Sequence, residues 1–162
     1  MSEEDLRQLI DEAIKLELNV AEIYLSFHHR FPEDAGFWWK MAIEEKNHAA
    51  LLRNGKQFFL DAGMFPEELV GNSLEALINA NKDLENILRQ EKEAPPSRDV
   101  ALNLAIKLEE LAGEIHFQHA MQQVKYPSEA IKLFQSLNED DKDHADRIRN
   151  YMRLNGIVEE TQ

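Results

Sequence analysis

Cysteine is absent from this 162-residue chain. That excludes disulfides and thiolate metal sites, and it removes any sign of an oxidising compartment. Glycine and proline are scarce, at six and five residues. A chain so poor in turn formers and so rich in Ala, Leu, Glu and Lys favours long helices over strands with tight turns. Basic residues are few against acidic ones, 18 to 31, for a formal net charge of −13. That balance suits solubility, disfavours phosphate backbones and attracts cations. Apolar runs fall short of a membrane span, and the N-terminal MSEEDLRQ is acidic and polar, unlike a secretory signal. The expectation is a cytoplasmic protein with no nucleic-acid or membrane partner, and at this length a single domain over residues 1–162.

What is present is helical periodicity. Leu6, Ile10, Ala13, Leu16, Val20, Tyr24 and Phe27 recur at the spacing of an amphipathic helix, which predicts helix one over about 3–30. Phe31–Gly36 forms a short turn in which Pro32 can open the next helix. Helix two then runs over about 34–61 and stops at Asp61-Ala62-Gly63. A connector with Pro66 follows. Ser73 caps a shorter helix over about 73–93, which ends before Ala94-Pro95-Pro96. Ser97 caps helix three, about 98–125. Tyr126-Pro127-Ser128 turns the chain into helix four, which ends at Asn155-Gly156. No strand pattern is visible. The fold class is all-α: two long helical hairpins (about 3–61 and 97–156) joined by a long crossover (about 62–96) that carries its own helix. Such a crossover suits a four-helix bundle.

The two hairpins read as copies of one unit. AIKLE at Ala13–Glu17 returns at Ala105–Glu109, and Glu22-Ile23 matches Glu114-Ile115. Lys46, His48, Ala49, Arg53 and Asn54 match Lys142, His144, Ala145, Arg149 and Asn150. Glu17 falls in the centre of an apolar stripe with Ala13, Val20 and Tyr24. Glu109 holds the same place among Leu102, Ala105, Ala112 and His116, with Glu110 and Glu114 as alternatives on that less regular helix. Glu45 and His48, three apart, share one face of helix two, and Asp141 and His144 repeat the spacing. The midpoint of 17 and 45 is residue 31, and that of 109 and 141 is residue 125, each at a turn. Each carboxylate pair therefore lies at one level, roughly 21–24 Å from its turn at ~1.5 Å per residue.

Four carboxylates clustered in a core are costly unless neutralised. Two divalent cations balance their charge, with one imidazole for each. Mixed oxygen and nitrogen ligation suits iron or manganese, and zinc can compete. The candidate metal ligands are Glu17, Glu45, His48, Glu109, Asp141 and His144, the pattern of di-iron carboxylate bundles. Tyr24 and His116, each seven residues after a candidate ligand, are placed to hydrogen-bond one. His28, His29 and His119 read as core or surface histidines. Phe37, Trp38 and Trp39 read as core, with one face available for a subunit contact.

The segments AIKLELNVAEIY (13–24), EEKNH (44–48), AIKLEELAGEIHF (105–117) and DDKDH (140–144) resemble the rubrerythrin and ferritin-like superfamily. The likeness covers both hairpins. It implies a ferritin-like bundle holding two iron ions, with Glu45 and Asp141 as bridging candidates and Glu17 and Glu109 terminal. It implies reduction of peroxide or dioxygen, and a homodimer or larger homo-oligomer. Two departures stand out. Asp141 is one methylene shorter than the usual glutamate, and Ala112 stands where peroxide-reducing relatives carry another glutamate. With no cysteine for a rubredoxin-like site, electrons must come from a separate donor protein. The alternatives are iron binding or storage without turnover, and a metal-free helical interaction module.

Overall fold

Helix α1 (Glu3–Arg30) starts on a capping box: Ser2 Oγ accepts from the Asp5 amide at 3.1 Å, and the Asp5 carboxylate accepts from the Ser2 amide at 3.2 Å. Three acidic residues in its first turn and His28, His29 and Arg30 in its last complement the helix dipole. The computed structural model describes residues 2–111, 117, 119–121, 128–137 and 143–160, and every regular element among them is helical, with no strand. A 3₁₀ turn at Pro32–Asp34 leads into α2 (Ala35–Gly55). The sequence predicts one α-helix to residue 61. Instead α2 gives way at Lys56–Leu60 to a wider π turn. There Gly55 lies under the ring of Phe134, with which any Cβ would overlap.

After a connector that buries Phe65, Leu69 and Val70, Ser73 caps α3 (Leu74–Glu93), close to the expected limits. This crossover helix packs on α1. Buried Asn81 locks the pair: its amide donates to the Glu12 carbonyl at 2.9 Å and carboxylate at 2.8 Å, and its oxygen accepts from Asn19 at 3.0 Å. Ser97 then caps α4 (Arg98–Glu109).

The second half departs from the expected pair of long helices. α4 ends at Glu109, where Glu110 and Leu111 bond three residues back, to Lys107 and Leu108. Residues 117 and 119–121 are again helical. The expected single helix from 128 to 154 is two: α5 (Glu129–Leu137) and α6 (His144–Leu154). Asp143 interrupts it with a left-handed backbone (φ 53°, ψ 75°), and its carboxylate caps α6 by accepting from the Asp146 amide at 3.0 Å. The run Asn138-Glu139-Asp140-Asp141-Lys142-Asp143 is rich in like charge and in residues that prefer caps to helix interiors. Asp is also among the few residue types that tolerate this conformation. α6 ends as expected, with Gly156 at φ 67° and the Ile157 amide bonded to the Met152 carbonyl at 2.9 Å. The following tail returns to α4, where the Glu160 amide donates to Asn103 at 2.8 Å.

α1 packs along α2, and α4 along α6. The two pairs are tied at one end by buried Asp34, which accepts two hydrogen bonds from Arg98 at 2.7 Å and one from Tyr151 at 2.6 Å. Burial works to raise the Asp34 pKa, but Arg98 and Tyr151 outweigh it and hold the carboxyl below its usual range. Asp34→Ala strands Arg98 and Tyr151 beside an apolar gap. It is expected to lower unfolding free energy by about 2–4 kcal/mol, measured by urea denaturation at neutral pH.

Candidate metal centre

Among the described residues, five polar side chains meet in the interior: Glu17 from α1, Glu45 and His48 from α2, Glu109 from the last residue of α4 and His144 from the first of α6. None is more than 3% exposed. The local reasons are simple. Glu17 sits in the stripe that α1 buries, with Ala13, Val20 and Tyr24 also inside. Glu45 and His48 lie between Met41 and Leu52 on the buried face of α2. Glu109 follows buried Ala105 and Leu108. His144 is carried inward by the Asp143 cap.

The geometry is that of two sets sharing one member. In the first, His48 Nδ1 lies 3.3 Å from Glu17 Oε2 and 3.1 Å from Glu45 Oε2. In the second, His144 Nδ1 lies 2.7 Å from Glu45 Oε1 and 3.2 Å from Glu109 Oε2. Glu45 thus divides its two oxygens between the halves. Its Oε1, for all its closeness to His144, lacks hydrogen-bond geometry. The imidazoles are nearly parallel, 12° apart with centroids at 5.3 Å, and Phe117 covers His48 at 4.4 Å. Within each set the candidate ligand atoms lie within 4.8 Å of one another.

Burial pushes Glu17 up to about 7, against the opposing pull of His48. Burial and the Glu45 charge also raise Glu109, although His144 and Tyr24 counter them. Burial would raise Glu45 too, but the two imidazoles outweigh it and hold it well below the usual carboxylate range. The central carboxylate is therefore an anion, and the flanking ones resist ionising without more positive charge.

Of the sequence candidates, Glu17, Glu45, His48, Glu109 and His144 are brought together, while Asp141 and His116 lie outside the described residues. Glu109, not Glu110, faces the cluster; Glu110 pairs with Arg149 at 3.2 Å on the surface, and Glu114 is outside the described residues. The Tyr24 hydroxyl donates to Glu109 Oε1, across the bundle and not to Glu17 on its own helix. His28 bonds the Ala35 carbonyl at 2.8 Å, away from the cluster; His29 and His119 are exposed. Trp38 is fully buried and Trp39 half exposed.

Two functional neighbours escaped the sequence reading. Glu44 Oε2 lies 3.3 Å from Nε2 of His144, the ring nitrogen opposite the one facing the carboxylates. Glu44 is in turn held by Arg147, one turn along α6. The doubled glutamate of EEKNH and an arginine three residues after His144 were the available signals. Only their crossing between helices shows that they act together. A carboxylate on the outer nitrogen orients a metal-binding imidazole and raises its basicity.

No protein-family model matches the chain, and neither curated proteins nor solved structures include a detectable relative.

Two outcomes follow from this geometry. Glu44→Gln weakens divalent-metal binding at the His144 half by about 10–100-fold, read by calorimetric titration, with little change in helicity. The Glu17 shift also makes metal-free stability pH-dependent. Its raised pKa stabilises the fold fully below the unfolded value of 4.5, and that contribution is lost as pH rises through about 7. The metal-free protein is expected to lose ~3 kcal/mol between pH 5 and 8. Bound divalent metal removes the loss, since a cation favours the ionised carboxylate. Chemical denaturation across that range, with and without metal, checks both.

Proposed function

We propose that the chain is a ferritin-like four-helix carboxylate protein, akin to the rubrerythrins, that binds two metal ions. It uses them as an oxidoreductase that reduces peroxide or dioxygen with electrons from a separate donor protein. The observation that carries this reading is Glu45, buried between two imidazoles with one oxygen turned to each half. A single buried ion pair needs one partner; a carboxylate split between two equivalent sets suits a bridge.

The donor set fits a pair of divalent cations. Glu17, Glu45 and Glu109 supply three carboxylates and His48 and His144 one nitrogen each, with Asp141 the sequence candidate for a fourth carboxylate. Oxygen and nitrogen donors of this kind favour iron or manganese, with zinc a competitor. Two bound irons would supply the electrons and open positions needed to reduce an oxygen–oxygen bond.

The chain's own residues do the rest. Glu45 sets the two halves at one level. Tyr24 fixes one oxygen of Glu109 and leaves the other toward His144. Glu44, anchored by Arg147, fixes the orientation of His144. Phe117 lies over His48, and the buried Tyr24 and Trp38 close the neighbouring wall against water.

A second reading, metal retention without turnover, draws support from the interrupted fourth helix. His144 stands at a helix start behind a left-handed Asp143, where a ligand is less rigidly held than at mid-helix. The two readings part in one experiment. The chain is loaded anaerobically with two ferrous ions and mixed with hydrogen peroxide in a stopped-flow spectrometer. Oxidation much faster than that of free ferrous ion, lost in Glu45→Ala, supports turnover. Two tightly held ions oxidised no faster than free iron would leave retention, and failure to bind ferrous ion at all would end both.

A further inference from the structure

The wall beside the cluster is a chain of aromatic rings, three of them oxidisable. Tyr24 donates its phenol hydrogen to Glu109 Oε1, and its ring lies 5.6 Å from that of Trp38. Trp38 lies 5.1 Å from Phe37, and Phe37 stacks on Tyr151 at 4.0 Å and 12°. Tyr151 is half buried and donates its phenol hydrogen to Asp34 at 2.6 Å. Both tyrosines thus have a carboxylate acceptor on the hydroxyl. A phenol that loses an electron must shed its proton at once, so a fixed acceptor is what such oxidation requires. Trp38 differs. It is fully buried, and its indole N–H has no hydrogen-bond partner among the described residues. An unmade hydrogen bond of this kind is destabilising, and phenylalanine at this position would avoid that cost. Indole, unlike phenol, can lose an electron while keeping its proton.

We propose that Tyr24, Trp38 and Tyr151 form a one-electron relay between the buried carboxylate–histidine cluster and the surface beside Asp34. Its biological use rests on the redox reading of the cluster. The chemistry balances ring by ring. A one-electron oxidant (peroxide or dioxygen reduced at the cluster in the redox reading, the photo-oxidant in the test below) takes one electron from Tyr24 while the phenol proton moves to Glu109, leaving a neutral tyrosyl radical. Trp38 returns that electron as the proton comes back from Glu109, and becomes a radical cation with its N–H intact. Tyr151 reduces Trp38 across the intervening Phe37 while its proton moves to Asp34. An external one-electron reductant then restores Tyr151. An oxidant at the surface end drives the same steps in reverse.

The test needs no iron. Because the chain has no cysteine, Arg153→Cys, on the exposed end of α6 two residues after Tyr151, provides a sole attachment point for a photo-oxidant on a flexible tether. A Tyr126→Phe background leaves Tyr24 and Tyr151 as the only tyrosines. After a flash, electron paramagnetic resonance is expected to show a tyrosyl radical that reaches Tyr24 and is lost in Tyr24→Phe. Trp38→Phe slows its arrival at least about tenfold, whereas Trp39→Phe does not. Should Trp38→Phe fail to fold by circular dichroism, replacing tryptophan with fluorotryptophan throughout, which raises its potential with little change of shape, must slow the arrival instead. A radical that stays on Tyr151, or that reaches Tyr24 equally fast with Trp38 replaced or fluorinated, overturns the relay. Run with zinc, or without metal at alkaline pH where Glu109 is ionised and can accept the phenol proton, the result is independent of whether the cluster turns over peroxide.

Discussion

Three carboxylates held out of water within one small volume set the terms for everything around them. Ionised and unpaired, each would cost several kcal/mol. The protein meets that cost from four helices at once. Two imidazoles flank Glu45, Tyr24 bonds Glu109, and Glu44 with Arg147 backs His144. The α1–α2 pair holds the first set by itself, but the second needs Glu45 of α2 beside Glu109 of α4 and His144 of α6. The polar cluster therefore joins the two halves of the fold, and either half alone would bury charge without its partners.

The ends of the helices serve the same arrangement. Asp34 ties the first turn to Arg98 and Tyr151 of the second half, while Asn81 fastens the crossover helix to α1. Both are buried polar residues with their bonds made, so they specify a register that apolar packing alone would leave looser. Between Asp34 and the cluster runs the aromatic wall of Tyr151, Phe37, Trp38 and Tyr24. Asp34 and the rings that run from it to Tyr24 thus tie the depth of Glu109 to that end of the bundle.

Helical class, the limits of α1 and α3 and the caps at Ser73 and Ser97 were legible because they depend on local chemistry. Periodicity, side-chain caps and proline act within a few residues. The break before His144 was not legible. Its strong i, i+3 spacing with Asp141 suggested a continuous helix, whereas Asp143 makes a left-handed cap. The partner of Tyr24 was hidden for a different reason. Its seven-residue spacing after Glu17 placed it to bond a candidate ligand without saying which, and a side chain on a buried helix face reaches the opposite helix as readily as its own.

By itself, then, the order of residues determined that the chain is helical, that acidic and histidine side chains recur on buried stripes, and that Glu17 and Glu45 lie level in one hairpin. These follow from spacing along a regular helix of known pitch. Only the tertiary structure decided that Glu45 is shared between both imidazoles, that Glu109 is chosen over Glu110, and that Glu44 of α2 supports a histidine of α6. Those are contacts between helices distant in sequence. They depend on rotations and offsets that packing sets and that no periodicity along a single strand of sequence encodes.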